Sequence, residues 1–252
     1  MTIQGGTPPR GPGVSAPLSQ RRQLSRLPPK DVFNNKMFMV GGWTRDDPSC
    51  PLEQFRPECN EWRAAARMVI RRGKVAVAAL GGQIYAVGGA DHVRCYSSVE
   101  RYNPDTDSWS TDVAPLSSPR SGVSAVAMDG YLYAIGGHDG VAAVSAVERY
   151  DPRMNTWSKQ RPMLSRRSGA AAAVLGGHLY VMGGSDGEVA LDSGEETQRP
   201  GAKTYNPDTD SWSTDVAPLS SPRSGVSAVA MDGYLYAIGG HDGVAAVSTV
   251  ER

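Results

Sequence analysis

Side chains able to do chemistry are spread along this 252-residue chain at regular intervals and form no catalytic signature. The four histidines, His92, His138, His178 and His241, include no H-E-x-x-H that would set two imidazoles on one helix face for a metal. No G-x-S-x-G presents a nucleophilic serine, and no cysteine and histidine share a metal-ligand spacing. Cys50, Cys59 and Cys95 are odd in number and lack a C-x-x-C. That opposes a disulfide scaffold or a zinc ribbon and fits a reducing compartment, the cytoplasm. All three are expected at the surface as ordinary thiols, because nothing in the sequence signals a lowered thiol pKa. The double glycines lack both a G-x-x-x-x-G-K-[ST] continuation and a following helix, which excludes a phosphate loop. The expectation is a protein with no enzymatic activity, no metal and no cofactor.

What recurs instead is suited to binding. One set of residues surrounds an arginine: Arg71-Arg72-Gly73, Arg120-Ser121-Gly122, Arg166-Arg167-Ser168-Gly169 and Arg223-Ser224-Gly225. Its candidate contact residues are Arg72, Arg120, Ser121, Arg167, Ser168, Arg223 and Ser224. The second set follows the Gly-Gly pairs and comprises Trp43, His92, His138, Asp139, Asp186 and His241, with Asp242 beside it. Converging guanidinium groups would grip carboxylates through paired hydrogen bonds that lysine cannot copy. Each arginine can instead pair with a carboxylate of its own chain, for example Glu100 or Glu148. The loop aspartates serve equally well as turn formers.

The elements that position these residues repeat. An apolar strand ends in Gly-Gly five times, as KMFMVGG, QIYAVGG, YLYAIGG, HLYVMGG and again YLYAIGG. Successive second glycines, from Gly42 to Gly240, lie 47, 48, 47 and 56 residues apart. Trp62, Trp109 and Trp157 each stand 20 residues after their double glycine, whereas Trp212 stands 28 after, so that unit carries an insertion near 192–204. Before each Gly-Gly strand from the second on comes another apolar run and a tight turn, such as Asp129-Gly130. After it come an alternating run, such as SAVERY, an Asn-Pro or Asp-Pro turn, and the Trp strand. Four short strands at a period near 47 predict a propeller, since one such unit cannot bury its apolar faces alone. The tyrosines and tryptophans at equivalent sites read as packing between blades. No helical periodicity is present.

Composition agrees. Gly 29 and Pro 18 make up almost a fifth of the chain, and 26 basic residues balance 26 acidic ones. A neutral chain gives no electrostatic reason for nucleic acid or an anionic membrane as partner, and no apolar run is long enough to span a bilayer. Residues 1–35 are set apart as a Pro/Gly/Arg-rich leader, expected to be disordered and to act as a linker. The propeller is assigned to 36–252, in units 36–68 (partial), 69–116, 117–163, 164–219 and 220–252 (partial).

The double glycine, the tyrosine before it, the V-E-R-Y-x-P segment, the spaced tryptophan and the Arg-rich start resemble kelch repeats. The closest resemblance is to the C-terminal domain of BTB-kelch (kelch-like) proteins, over residues 36–252. It implies an all-β propeller of four-stranded antiparallel blades that captures a protein partner on one face. The resemblance implies that the two loop sets meet on that face and that the arginine and serine there read an acidic peptide motif. It also implies the substrate-recognition part of a cullin-RING ubiquitin-ligase adaptor, or alternatively an actin-binding cytoskeletal scaffold. A non-functional fragment is the third reading. The family's ring has six Gly-Gly strands against five here, so the propeller is expected to be incomplete, with four to five blade equivalents. The BTB and BACK-like regions that recruit the ligase are absent from the sequence.

Residues 102–149 recur at 205–252 with one difference, Ala146 against Thr249. Neighbouring units have diverged freely, so folding does not demand such identity. A recent duplication, a splicing or assembly artefact, or deliberate joining would each produce it. Because the last unit lacks its outer strands and the first lacks its inner one, the expected form is an open arc, or a strained ring in which VSAVAM (226–231) supplies the first unit's inner strand, with an exposed apolar edge prone to association.

Overall fold

The computed structural model describes residues 30–33, 36–41, 52–188, 190, 203–214 and 216–252. Trp43, Cys50, most of the leader and nearly all of the insertion lie outside them. The described residues form nineteen strands and no helix. Blade one holds β1 (Lys30–Phe33), β2 (Lys36–Val40), β3 (Leu52–Arg56) and β4 (Glu61–Ala65). Blade two holds β5 (Ala76–Leu80), β6 (Gln83–Val87), β7 (Val99–Asn103) and β8 (Ser108–Ser110). Blade three holds β9 (Ser124–Met128), β10 (Tyr131–Ile135), β11 (Val147–Asp151) and β12 (Thr156–Gln160). Blade four holds β13 (Ala171–Leu175), β14 (His178–Met182), β15 (Lys203–Asn206) and β16 (Ser211–Ser213). Blade five has β17 (Ser227–Met231), β18 (Tyr234–Ile238) and β19 (Val250–Glu251). Each sheet is an antiparallel meander in chain order.

Local sequence explains the meander. Asp129 and Gly130 both take positive φ, 52° and 82°, as a two-residue hairpin turn between twisted strands requires. On β10 successive side chains point to opposite faces. Leu132 and Ala134 pack against blade two, while Tyr133 and Ile135 pack against blade four. Both faces are therefore apolar, which is why the strand reads as a continuous hydrophobic run rather than an alternating one.

Neighbouring blades are fastened at two heights, and blades three and four carry both fastenings to the blade before them. Near the rim, Trp109 Nε1 donates to the Ala66 carbonyl (2.8 Å), Trp157 Nε1 to Ala114 (2.8 Å) and Trp212 Nε1 to Arg161 (2.9 Å). The tyrosine hydroxyls of Tyr102, Tyr150 and Tyr205 reach Asp107, Asn155 and Asp210, whose Oδ1 atoms also accept the backbone N–H of Ala66, Ala114 and Arg161. Burial, with Asp107 adding, pushes the Tyr102 hydroxyl pKa well up, so it stays a proton donor. Further in, Gly137 N donates to the Arg167 carbonyl of the next blade (2.7 Å), and Gly89 N does so to Arg120 (2.7 Å). A Cβ on Gly136 would run into that same Arg167 carbonyl. The double glycine is one place where a blade's backbone touches the next.

Two expectations change. Residues 30–33, set within the leader from sequence, form β1 and give blade one its inner strand. VSAVAM therefore does not complete blade one; its residues 227–231 pair with β18 in their own blade. Four apolar clusters join consecutive blades, and among the described residues none joins the fifth to the first. The far face of blade five is exposed, so the arc is open on that side. Among the described residues, no helix is long and apolar enough to cross a membrane.

Candidate functional site

The arginines at the recurrent sequence positions lie inside the blades. Arg72 Nη2 contacts Glu100 Oε1 at 2.7 Å with both side chains 0% exposed. Arg120 pairs with Glu148, and Arg223 with Glu251. In blade two the other guanidinium nitrogen, Nη1, donates to the carbonyls of Gly88 (2.8 Å) and Ser98 (2.7 Å). The glutamates accept from the loop that leads into the blade. Glu100 takes Val69 N (2.6 Å) and Ile70 N (3.0 Å), Glu148 takes Ser117 N (3.0 Å), and Glu251 takes Ser220 N (2.7 Å). Each pair thus ties an entry loop to the third strand of the same blade. Burial lowers the Arg72 and Arg120 pKa values, with the paired glutamates opposing it, and pushes Arg167 to about 10. Even there the guanidinium stays charged at neutral pH.

Of the two roles open to these arginines, the intramolecular pair is the one the geometry contains. Guanidinium groups this deeply buried offer no surface to a partner's carboxylate. Blade four differs, because Lys203 occupies the position of Glu100 and Glu148. Burial lowers its pKa, and the charge of Arg167 adds to the effect. The single difference between the duplicated segments also falls here. Thr249 Oγ1 accepts from Arg223 Nη1 (3.2 Å), as Ser98 Oγ does from Arg72 (3.1 Å), whereas Ala146 has no hydroxyl to offer Arg120.

The two loop sets meet, as the resemblance implies. Ser121 and His138 exchange backbone hydrogen bonds (2.9 and 2.8 Å), and so do Ser168 with Ser185 and Ser224 with His241. Successive blades are linked beside them by Gly122 N to Lys74 O (2.9 Å), Gly169 N to Gly122 O (2.8 Å) and Gly225 N to Gly169 O (2.8 Å). Asp139 Oδ1 accepts from Val141 N (2.8 Å) and Ala142 N (2.9 Å), and Asp242 repeats this with Val244 and Ala245. Asp186 takes Glu188 N, and the ring nitrogens Nδ1 of His138 and His241 accept from Gly140 N and Gly243 N. His92 is exposed in the corresponding loop of blade two.

These backbone bonds hold the Asp139 and Asp242 carboxyl groups below their ordinary value of 3.8. A depressed carboxyl contributes order that is complete above its unfolded pKa and is lost as pH falls through the folded value. Amide protection at Val141, Ala142, Val244 and Ala245, taken relative to each residue's intrinsic exchange rate, should therefore hold from neutral pH down to about 3.8 and fall below it. Protection that already falls near neutral pH, or never changes, would break the link to these carboxylates.

The loops raise apolar side chains into solvent beside polar ones such as His92 and Glu188. Val93, Val141 and Val244 stand two residues after the loop aspartates and are 90%, 91% and 92% exposed. Arg71 and Arg166, the residues immediately before the buried arginines, are exposed, as are Val69 and Leu164 in the same entry loops. An open cleft of about 420 Å³ separates the Asp139 loop from Arg166 and Pro162. Sequence reasoning chose Arg72 and Arg167 because they share register with Arg120 and Arg223. The readable signal was that only two blades carry a second arginine, which the repeat does not require. Cys59 is exposed, but Cys95 is half-buried, its thiol toward Ser121 Oγ (3.4 Å), because its loop folds back on the bridge. Among the described residues, no three His, Cys, Asp or Glu side chains gather where they could hold a metal ion.

The family model described as "KLHDC2/KLHL20/DRC7 Kelch-repeats domain" matches residues 32–240. The chain belongs to this kelch-repeat family. Human Kelch-like protein 33 is 35% identical over 108 residues, covering 42% of this chain and 20% of that protein. Mouse Kelch-like protein 23 is 37% identical over 79 residues, covering 31% and 13%. Human Kelch repeat and BTB domain-containing protein 12 is 31% identical over 105 residues, covering 35% and 17%. The matches thus span a fifth or less of these relatives. A solved structure of YjhT superposes with a TM-score of 0.63 at 15% identity, covering 90% of this kelch chain and 94% of that one, a likeness of fold alone. Kelch propellers of this kind are typically protein-interaction modules.

Proposed function

We propose that this kelch propeller binds a partner protein through its bridged loop face, as the substrate-recognition part of a cullin-RING ubiquitin-ligase adaptor. The observation that supports the binding face is the row of nearly fully exposed valines, Val93, Val141 and Val244, on loops whose backbones are pinned to the blades. Rigid loops that hold apolar tips in water incur no ordering cost when a partner covers them. Arg71 and Arg166 supply the charge-assisted bonds that the buried arginines cannot. The adaptor role itself rests on the kelch-like resemblance.

In co-purification from cells, Val141→Asp with Arg166→Glu should remove the partner while leaving the melting temperature unchanged. Arg166→Ala alone should weaken binding by about 1.5–3 kcal/mol, the range of a hydrogen bond to a charged group. A partner retained by the double variant would move the site off this face. Depletion of the kelch chain should lengthen the partner's half-life and reduce its ubiquitin conjugates. A bound partner whose turnover does not change would remove the adaptor role while leaving the face intact.

A further inference from the structure

The cleft of about 420 Å³ between blades three and four has walls of opposite charge, with Asp139 on one side and Arg166, near Pro162, on the other. Residues 142–146 line it between them, and all five are small: three alanines, a valine and a serine. Between blades two and three the same positions are filled. Arg94 and Tyr96 stand where Ala142 and Val144 do, with the Arg94 guanidinium 5.1 Å from the Tyr96 ring centre. Pro119 stands there in place of Arg166. The open floor and the second charge thus come together between blades three and four.

Both walls are set by backbone bonds. Asp139 N donates to the Ala142 carbonyl (3.1 Å), Met163 N to Ser145 (2.9 Å) and Arg167 N to Val144 (3.1 Å). The Asp139 carboxylate accepts Val141 N and Ala142 N on Oδ1, which leaves Oδ2 able to accept from a ligand. Those bonds hold its pKa below the ordinary value, so it is charged at neutral pH. Arg166 is exposed and, among the described residues, makes no hydrogen bond or ion pair. Opposite charges fixed apart over a floor of small side chains complement a ligand that carries the reverse pair. A purely acidic segment would bring like charge to Asp139, and a purely basic one would bring it to Arg166.

Resting on the loop-face reading above, we propose that this cleft seats a partner segment of mixed charge. A basic side chain of that segment meets Asp139, a carboxylate meets Arg166, and small residues between them lie over the alanine floor. The preformed walls spare the ordering cost on this side of the contact.

The test titrates the 252-residue chain with two blocked peptides, Lys-Ala-Ala-Glu and Glu-Ala-Ala-Lys, and with versions in which alanine replaces either charge. By NMR, the tighter of the two doubly charged peptides should shift the amides of Ala142, Ala143 and Ser145. Losing either charge should weaken it about tenfold, the scale of a hydrogen bond to a charged group. Asp139→Asn keeps an Oδ1 acceptor for the loop and should abolish the preference for the lysine alone. Arg166→Gln should abolish the preference for the glutamate alone. Doubly charged peptides that bind no tighter than singly charged ones, or variants that keep both preferences, would overturn the proposal. In co-purification, a partner lost by Val141→Asp with Arg166→Glu but retained by Asp139→Asn with Arg166→Gln would overturn the mixed-charge seat and leave the binding face standing. A partner retained by both double variants would remove the face and the seat together.

Discussion

Glu148→Ala is expected to lower the unfolding free energy by about 3–5 kcal/mol, because it leaves the Arg120 guanidinium buried without its counter-charge. The pair is 1% and 2% exposed, so water cannot replace the lost carboxylate. The Ser117 backbone N–H would lose its acceptor at the same time. Replacing both partners, as in Arg120→Met with Glu148→Leu, should recover most of this loss, since no charge is then left buried. Equilibrium denaturation of the two variants beside the unmodified chain decides the matter. A Glu148→Ala loss under about 0.5 kcal/mol, the scale of exposed loop changes, would mean that the pair is not a structural tie. The same reasoning makes Arg120→Ala a stability variant, whatever a partner does.

The second large effect concerns the double glycine. Gly136→Ala should cost about 2–5 kcal/mol. Roughly 1–2 kcal/mol of that comes from the left-handed backbone at φ 60° and about 1–3 kcal/mol from forcing a methyl onto the Arg167 carbonyl of blade four. Gly239, its equivalent in blade five, has φ 63°, and a Cβ there would meet only the Val247 carbonyl at 3.4 Å, an ordinary contact. Gly239→Ala should therefore cost only the backbone share, about 1–2 kcal/mol. The difference between two positions of identical local sequence isolates what the neighbouring blade contributes. Equal losses in chemical denaturation would show that backbone conformation alone requires the glycine.

The propeller was legible in the sequence because each blade is a local object. The Asp-Gly turn, the apolar run, the Asn-Pro or Asp-Pro turn and the Trp strand are encoded within about fifty residues, and repetition makes the weak signals of each visible. Repetition put the members of each loop set at equivalent places on successive blades, while the expectation that the two sets share one face came from the kelch-like resemblance. Repetition did not reveal whether Arg72, Arg120 and Arg223 point out to a partner or in to a glutamate. Both roles favour the same residue at the same spacing, and the choice depends on how deep the guanidinium lies once Glu100, Glu148 and Glu251 are folded over it. Arg71 and Arg166, one residue earlier, were left on the surface by that choice.

Identical sequence makes the limit plain. Ile135 and Ile238 sit in the same heptapeptide, YLYAIGG, yet one is 1% exposed and the other 42%. Sequence determined which side chains a blade offers to its neighbours, and tertiary structure alone decided whether a neighbour is there. Burial depends on what packs against a strand from elsewhere in the chain, and not on the strand's own residues.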